Sequence, residues 1–365
     1  MAWRNRVEVS YAALRHNLVT VQQAAGGRGV IAVVKADAYG LGTQRCARIY
    51  HEAGAAAIAV AATSEADRVR AAVPAARILL LGSPLPEERP AVVASDYEVC
   101  CTTREELQEF AALARPEQPQ GVHLFIDTGM GRAGCAPADA AALARMIVET
   151  PALALKGVGT HYPMAVDDAV SGEQEAVIAE VLAGLPELPE GCWVHSANSE
   201  ATLMRPNSPG TVVRCGLLLT GVVPPGCPDP GLRPAMRWLS SISLVKPLPA
   251  GHAVSYNRTV ILERDSLVAL VPVGYADGYP FRCSGRGRVL VGGRSCSILG
   301  RVTMDYLVID VTDCPRPPVP GDPVVLVGED GDECITVAEL ADRAETIPYD
   351  VLCGLRGRCE VVGVP

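Results

Sequence analysis

The chain has 365 residues, of which 49% are hydrophobic and 20% charged, with a formal net charge of −9. That length predicts two domains, the composition excludes a disordered chain, and an acidic balance without basic runs excludes a general nucleic-acid binder. Thirteen cysteines without a CxxC pair or a histidine-rich tract argue against a metal site and read as reduced core residues of a cytoplasmic protein. The opening "MAWRNRVEVSYAALRHNL" lacks the apolar core of a signal peptide, and the small-residue run "AGAAAIAVAA" is too short to span a bilayer, so no membrane is expected as a partner.

In chain order, "NRVEVS" reads as a strand that pairs with the second domain. Apolar runs suited to buried strands follow at 31–34, 57–62, 78–82, 98–102, 122–126, 154–159, 192–196 and 211–216. Helical patterns lie between them. "TSEADRVRAA" and "TTREELQEFAALA" open on a Thr/Ser cap followed by acids, and "APADAAALARMIVE" carries a proline in its first turn. Eight near-continuous apolar strands alternating with helices predict a parallel (β/α)8 TIM-like barrel over residues 11–232. A doubly wound open sheet is the alternative. It would carry a glycine-rich phosphate turn after its first strand, where this chain reads "KADAYGLG". After the proline- and glycine-rich "GVVPPGCPDPGLRPAM" (221–236) come closely spaced β-branched runs. They predict a mostly β C-terminal domain over 233–365, with residues 1–10 as a candidate addition and one short helix at 336–345.

Of 32 basic side chains only Lys35, Lys156 and Lys246 are lysines. Lys35 ends the first barrel strand and is a candidate for amine chemistry that arginine cannot perform, or a strand-end lysine reaching for solvent. In a parallel barrel the active site lies at the C-terminal ends of the strands. There this chain places Lys35, Tyr39, Arg132, His161, Asn198, Ser199 and Arg214. Each has an ordinary explanation alone, but their convergence on one rim suits pyridoxal 5'-phosphate. Its aldehyde needs an amine, which Lys35 offers. Its phosphate needs hydroxyls and backbone amides, here Tyr39, Ser199 and the amides of Gly216 and Leu217. Its ring nitrogen and phenolic oxygen each need a partner, and two arginines are available.

"AVVKADAYGLG", "DTGMGRAG", "GTHY", "HSANS", "VRCG", "VSYNRT", "VGYADGYP" and "GRVTMD" stand in the order, and at about the spacing, seen in alanine racemases. The chain resembles that family from about residue 6 to residue 360. The resemblance implies a cytoplasmic homodimer with its active site shared between subunits, acting on a small amino acid to supply D-alanine for peptidoglycan. It implies that Lys35 binds the cofactor and is one acid/base, and that Tyr256 of the other subunit is the second. Two bases on opposite faces of Cα are the simplest design for racemisation. A phenol is a weak base at neutral pH, and His161, placed by the resemblance between Tyr256 and Arg214, offers a way to stabilise the phenolate. Arg214 would face the pyridine nitrogen and leave it unprotonated, because arginine gives up its proton only at a pKa above about 12. Arg132 would bind the phenolic oxygen and the substrate carboxylate, with Asn198 among the cofactor contacts. The Met304 amide and Asp305 would place the carboxylate, while Tyr275 and Tyr349 line the pocket and entrance, Tyr349 also near the phosphate.

Three positions depart from the family pattern. Phe125 stands where many relatives carry a carbamylated lysine that holds the arginine of "DTGMGR", so Arg132 needs another anion. Phe281 replaces a usual arginine, and Leu41 a common histidine. The first two leave open a serine or broad-specificity racemase of the same fold. A PLP-binding protein without turnover is the alternative from another class, and Tyr256 is the feature that argues against it.

Overall fold

The computed structural model describes residues 4–355 and 357–365. The chain opens with β1 (Arg6–Ser10) and α1 (Tyr11–Ala24), and divides into two compact units. One unit comprises Leu14–Ala38 and Thr43–Arg233; the other comprises the chain up to Ala13, Tyr39–Gly42 and everything from Pro234.

The first unit is the barrel. Its strands are β2 (Gly29–Val33), β3 (Ala57–Val60), β4 (Ile78–Leu80), β5 (Glu98–Cys101), β6 (Gln120–Phe125), β7 (Leu153–Gly159), β8 (Trp193–His195) and β9 (Val212–Cys215). They run in the order β8-β7-β6-β5-β4-β3-β2-β9 and every adjacent pair is parallel. The two ends meet through a single bridge, His195 to Gly210, and through Thr211, whose amide donates to Val194 O while its hydroxyl accepts from Val194 N. The barrel is therefore nearly closed, and the open-sheet alternative is excluded. Its strands are buried on both faces because α1, α3 (Thr43–Glu52), α4 (Thr63–Ala72), α5 (Arg89–Ala94), α6 (Arg104–Leu113), α7 (Ala140–Glu149), α8 (Asp168–Gly184) and α9 (Ser199–Met204) alternate with them.

The caps are partly as expected. Thr103 accepts from Glu106 N at the start of α6. At α4 the N-cap is Ala62, without a side-chain bond, and Glu65 does the satisfying instead. Its carboxylate accepts the amides of Ala61 and Ala62 and also that of Ala36, while Thr63 donates to Glu88.

The second unit holds Tyr39, the last residue of α2 (Lys35–Tyr39), and most of the β structure. Its strands are β10 (Met236–Ser241), β11 (Leu244–Leu248), β12 (Ala253–Val254), β13 (Val260–Ile261), β14 (Ser266–Val271), β15 (Arg288–Val291), β16 (Arg294–Ser297), β17 (Leu307–Asp310), β18 (Pro323–Asp330), β19 (Glu333–Ile335) and β20 (Glu360–Val364). The largest sheet runs β16-β15-β18-β10-β1-β20, so the opening strand pairs antiparallel with β10 and parallel with β20, as the sequence suggested. Leu239, Leu290, Val325 and Ile335 pack into its core. Two helices are present where one was expected: α10 (Val337–Arg343) and α11 (Pro348–Gly354). The second follows Pro348, which sits at its first turn where a missing N–H costs nothing. No described helix is long and apolar enough to cross a membrane.

Candidate active site

Lys35 directly follows the last apolar residues of β2 and begins α2 (Lys35–Tyr39), a single turn of the wrong hand. Ala36, Asp37, Ala38 and Tyr39 all have φ between 52° and 56°. Without glycine this costs roughly 1–2 kcal/mol per residue, so the turn exists because its surroundings hold it. Glu65 accepts the Ala36 amide at 2.6 Å, the Ala38 amide returns to Val34 O, and Asp37 accepts both the amide and the hydroxyl of Thr43.

Arg214, on β9, is 4% exposed. Its guanidinium donates to the carbonyls of Thr160 (2.6 Å), Ser196 (3.2 Å) and His195, and to the imidazole nitrogens His195 Nδ1 (2.7 Å) and His161 Nδ1 (3.2 Å). None of these partners is a carboxylate. Burial accordingly lowers its pKa to about 10, with Arg132 adding to the effect. Guanidinium has no acceptor, so His161 Nδ1 accepts in that 3.2 Å contact, while Asn198 Nδ2 stands 3.5 Å from Nε2 and donates to Tyr162 O at 3.0 Å. His161 itself is held neutral, its pKa lowered to about 3 by burial and then by the charges of Arg214, Arg132 and Lys35. These four groups therefore share one positive field.

Arg132 is exposed in a loop built around Asp127. Burial alone would raise the pKa of that carboxyl, but the amides of Gly129, Gly131, Met130 and Arg132 converge on it and hold it below the usual range. Arg132 makes no ion pair among the described residues. Phe125 is 7% exposed, with its ring 5.6 Å from the Arg214 guanidinium carbon and 6.2 Å from the His195 ring. The helix cap at α9 is Asn198, whose Oδ1 accepts from Ala201 N and whose Nδ2 donates to Tyr162 O. Ser199 is released from capping, and its hydroxyl accepts from the Gly216 amide at 3.1 Å. Leu217 follows in the same buried segment.

In the other unit, Tyr39 lies with its ring 5.9 Å from that of Tyr349 on α11. Gly40 allows this approach: its φ is 79°, and a Cβ there would stand 2.6 Å from Leu352 O. Tyr275 and Met304 are brought together because Gly274 has no Cβ to strike the carbonyls of Thr303 and Met304. Asp305 is paired with Arg358 at 2.7 Å, and that arginine also grips the buried Asp277 through two bonds of 3.0 and 2.9 Å. Tyr275 stacks edge-on against Phe281 at 6.1 Å, and Arg301 lies over the same ring. Tyr256 is 71% exposed in a tight turn, not a strand, with Ser255, Asn257 and Arg258 all at positive φ.

Residues that sequence reasoning missed include Glu65, which holds the Lys35 turn, and the buried His123 and His195 below Arg214. The available signals were the acid in "TSEADRVRAA" at the start of a helix and a histidine inside the apolar run "VHLFI".

The N-terminal-domain family model of alanine racemase matches residues 9–224, and the C-terminal-domain model matches residues 235–362. An alanine racemase of Symbiobacterium thermophilum is 37% identical over 96% of this chain and 94% of its own. The solved structure of an alanine racemase from Streptomyces coelicolor superposes with a TM-score of 0.93 at 34% identity, covering 99% of this chain and 98% of that one. That of Bartonella henselae, described with covalently bound pyridoxal phosphate, gives a TM-score of 0.90 at 27% identity and covers 99% of each.

Proposed function

The chain belongs to the alanine racemase family, and on that premise we propose that it interconverts L- and D-alanine with pyridoxal 5'-phosphate in the barrel mouth. The observation that carries this reading is the rim itself. It holds one amine, two guanidiniums and a neutral imidazole, with Arg214 buried against carbonyls and imidazoles only. Such a donor set fits an anionic aldehyde cofactor and an amino-acid carboxylate. Lys35 would hold the aldehyde; Ser199, Tyr39, Tyr349 and the amides of Gly216 and Leu217 would hold the phosphate; Arg214 would face the ring nitrogen. When bound, the cofactor supplies an electron sink that acidifies the substrate Cα–H.

Lys35 removes or returns the proton on one face of Cα. Tyr256, supplied by the second subunit of a homodimer, does so on the other. Its 71% exposure on a strained turn suits a residue that reaches into another subunit. With Arg214 on His161 Nδ1 and Asn198 Nδ2 donating to Tyr162 O, a proton on Nε2 would serve an incoming phenolate oxygen and favour its ionised form. Arg132, with no ion pair among the described residues, takes the substrate carboxylate, helped by the Met304 amide. Asp305 acts through Arg358, which ties the Met304 loop to Asp277. We assign the product to peptidoglycan synthesis in the cytoplasm.

Incubation of the enzyme with L-alanine in D2O tests the reading. Exchange of the α-proton with formation of D-alanine is expected, and its absence would overturn the proposal. A parallel run with L-serine reads how far Phe125 and Phe281 have widened the range.

A further inference from the structure

Beneath Arg214 a line of polar side chains crosses the otherwise apolar barrel core. His195 Nε2 lies 2.8 Å from His123 Nδ1, and His123 Nε2 lies 2.9 Å from Glu98 Oε2. Both imidazoles are fully buried, at 0% exposure. Glu98 starts β5 at the opposite end of the barrel from the rim, and its other oxygen accepts from Arg77 Nε at 2.7 Å. Room for the imidazoles is made by β7. A Cβ on Gly159 would stand 2.5 Å from His195 Nδ1, and one on Gly157 would stand 2.7 Å from His123 Cε1. By giving up two alternate side chains, β7 seats the imidazoles as part of the fold.

The protons on this line have one arrangement. Arg214 can only donate, so His195 Nδ1 is bare and its proton is on Nε2. That proton points at His123 Nδ1, which must also be bare, so His123 carries its proton on Nε2 and donates it to Glu98. Reversing either tautomer sets two donors against each other at under 3 Å. Both imidazoles are held neutral: burial lowers their pKa, and the Arg214 charge lowers it further for each. Burial would raise the Glu98 carboxyl, but its bonds to His123 and Arg77 bring it below the usual range.

We propose that Glu98, acting through His123 and His195, is the remote acceptor that fixes both tautomers and so orients the Arg214 guanidinium. The inference rests on the reading that Arg214 faces the ring nitrogen of the bound cofactor. Glu98 and the two histidines are positioning residues, since none of them touches substrate or cofactor. The logic is that of a carboxylate fixing a histidine tautomer, extended by a second imidazole and ending on an arginine. The chain leaves His195 Nδ1 as an acceptor aimed at Arg214, so the buried guanidinium keeps one fixed hydrogen-bond partner on that side.

The experiment uses the holoenzyme and its Glu98→Gln and Glu98→Leu variants, read by imidazole 15N resonances, cofactor absorbance, and kcat and KM for L-alanine. In the unsubstituted enzyme His123 and His195 are expected neutral with the proton on Nε2. Glu98→Gln retains an acceptor oxygen and should preserve both tautomers and most of the activity. Glu98→Leu removes the acceptor; it should change the His123 tautomer, shift the cofactor band and lower kcat by about ten- to a hundredfold, the range for outer partners of a ligating histidine, with KM moving less. A proton on Nδ1 of either histidine, or a folded Glu98→Leu enzyme with unchanged band and kcat, would overturn the proposal. Should Glu98→Leu fail to fold, the tautomers of the unsubstituted enzyme and of Glu98→Gln still decide. Failure of the racemase reading is separately visible, as an unsubstituted enzyme that does not exchange the alanine α-proton while its tautomers remain as derived.

Discussion

Replacing Gly159 by alanine tests the packing of the site at a single methyl group. An added Cβ would lie 2.5 Å from His195 Nδ1 and 3.0 Å from its Nε2, far inside van der Waals contact. His195 is fully buried and bonded at both nitrogens, so it cannot swing into solvent. The cost has two parts: about 1–3 kcal/mol for overpacking a filled core and about 1.5–3 kcal/mol for losing the bond from the charged Arg214. Together they give roughly 3–6 kcal/mol, a large share of a typical domain's stability of about 5–15 kcal/mol. Gly172 is the control: it lies in α8 with nothing within 4 Å of its would-be Cβ, and Gly172→Ala should stabilise by about 0.5–1 kcal/mol. Urea denaturation of both variants, with kcat measured below the transition, is the assay. A Gly159→Ala protein that loses less than about 1 kcal/mol and keeps its activity would refute the packing argument.

Three further outcomes are expected. Lys35→Ala should abolish the cofactor-linked absorbance, while Tyr256→Ala should keep it and lose racemisation preferentially from L-alanine; equal loss in both directions would count against the division of labour between the two bases. The His161 pKa of about 3 lies below the unfolded value of about 6.5. Between those values the unfolded chain binds a proton that the native state refuses, so stability falls as pH drops from about 6.5 towards 3. His161→Gln should flatten that part of the stability–pH curve measured by denaturation, and an unchanged slope would contradict the assigned neutrality. Arg358→Ala strands the buried Asp277 and frees Asp305. It should lower Tm more than Arg264→Ala, which breaks an exposed pair with Asp313, and raise KM for alanine if the Met304 loop loosens.

Much was legible before any coordinates. A strand buried on both faces must be apolar almost throughout, so the eight runs of the barrel stood out, and each proved to be a strand. The rarity of lysine singled out Lys35 because amine chemistry excludes arginine. What stayed hidden depends on neighbours far away in the chain. Glu65 reaches the Ala36 amide across 29 positions, and His123 and His195 meet across 72. The α11 helix was missed because it starts without a side-chain cap, whereas the equally short α10 opens on Thr336, whose hydroxyl accepts from Glu339 N.

Phe125 shows the division most clearly. The sequence alone established that an aromatic ring replaces a cationic side chain there, and so removed one support expected for Arg132. Only the tertiary structure decided that the ring lies against Arg214 and His195, above a line of imidazoles ending on Glu98. Residue type determines which interactions a side chain is able to make. Which of them it makes is decided by the strands that share its face, and parallel strands joined by crossovers bring together residues that lie far apart in the chain.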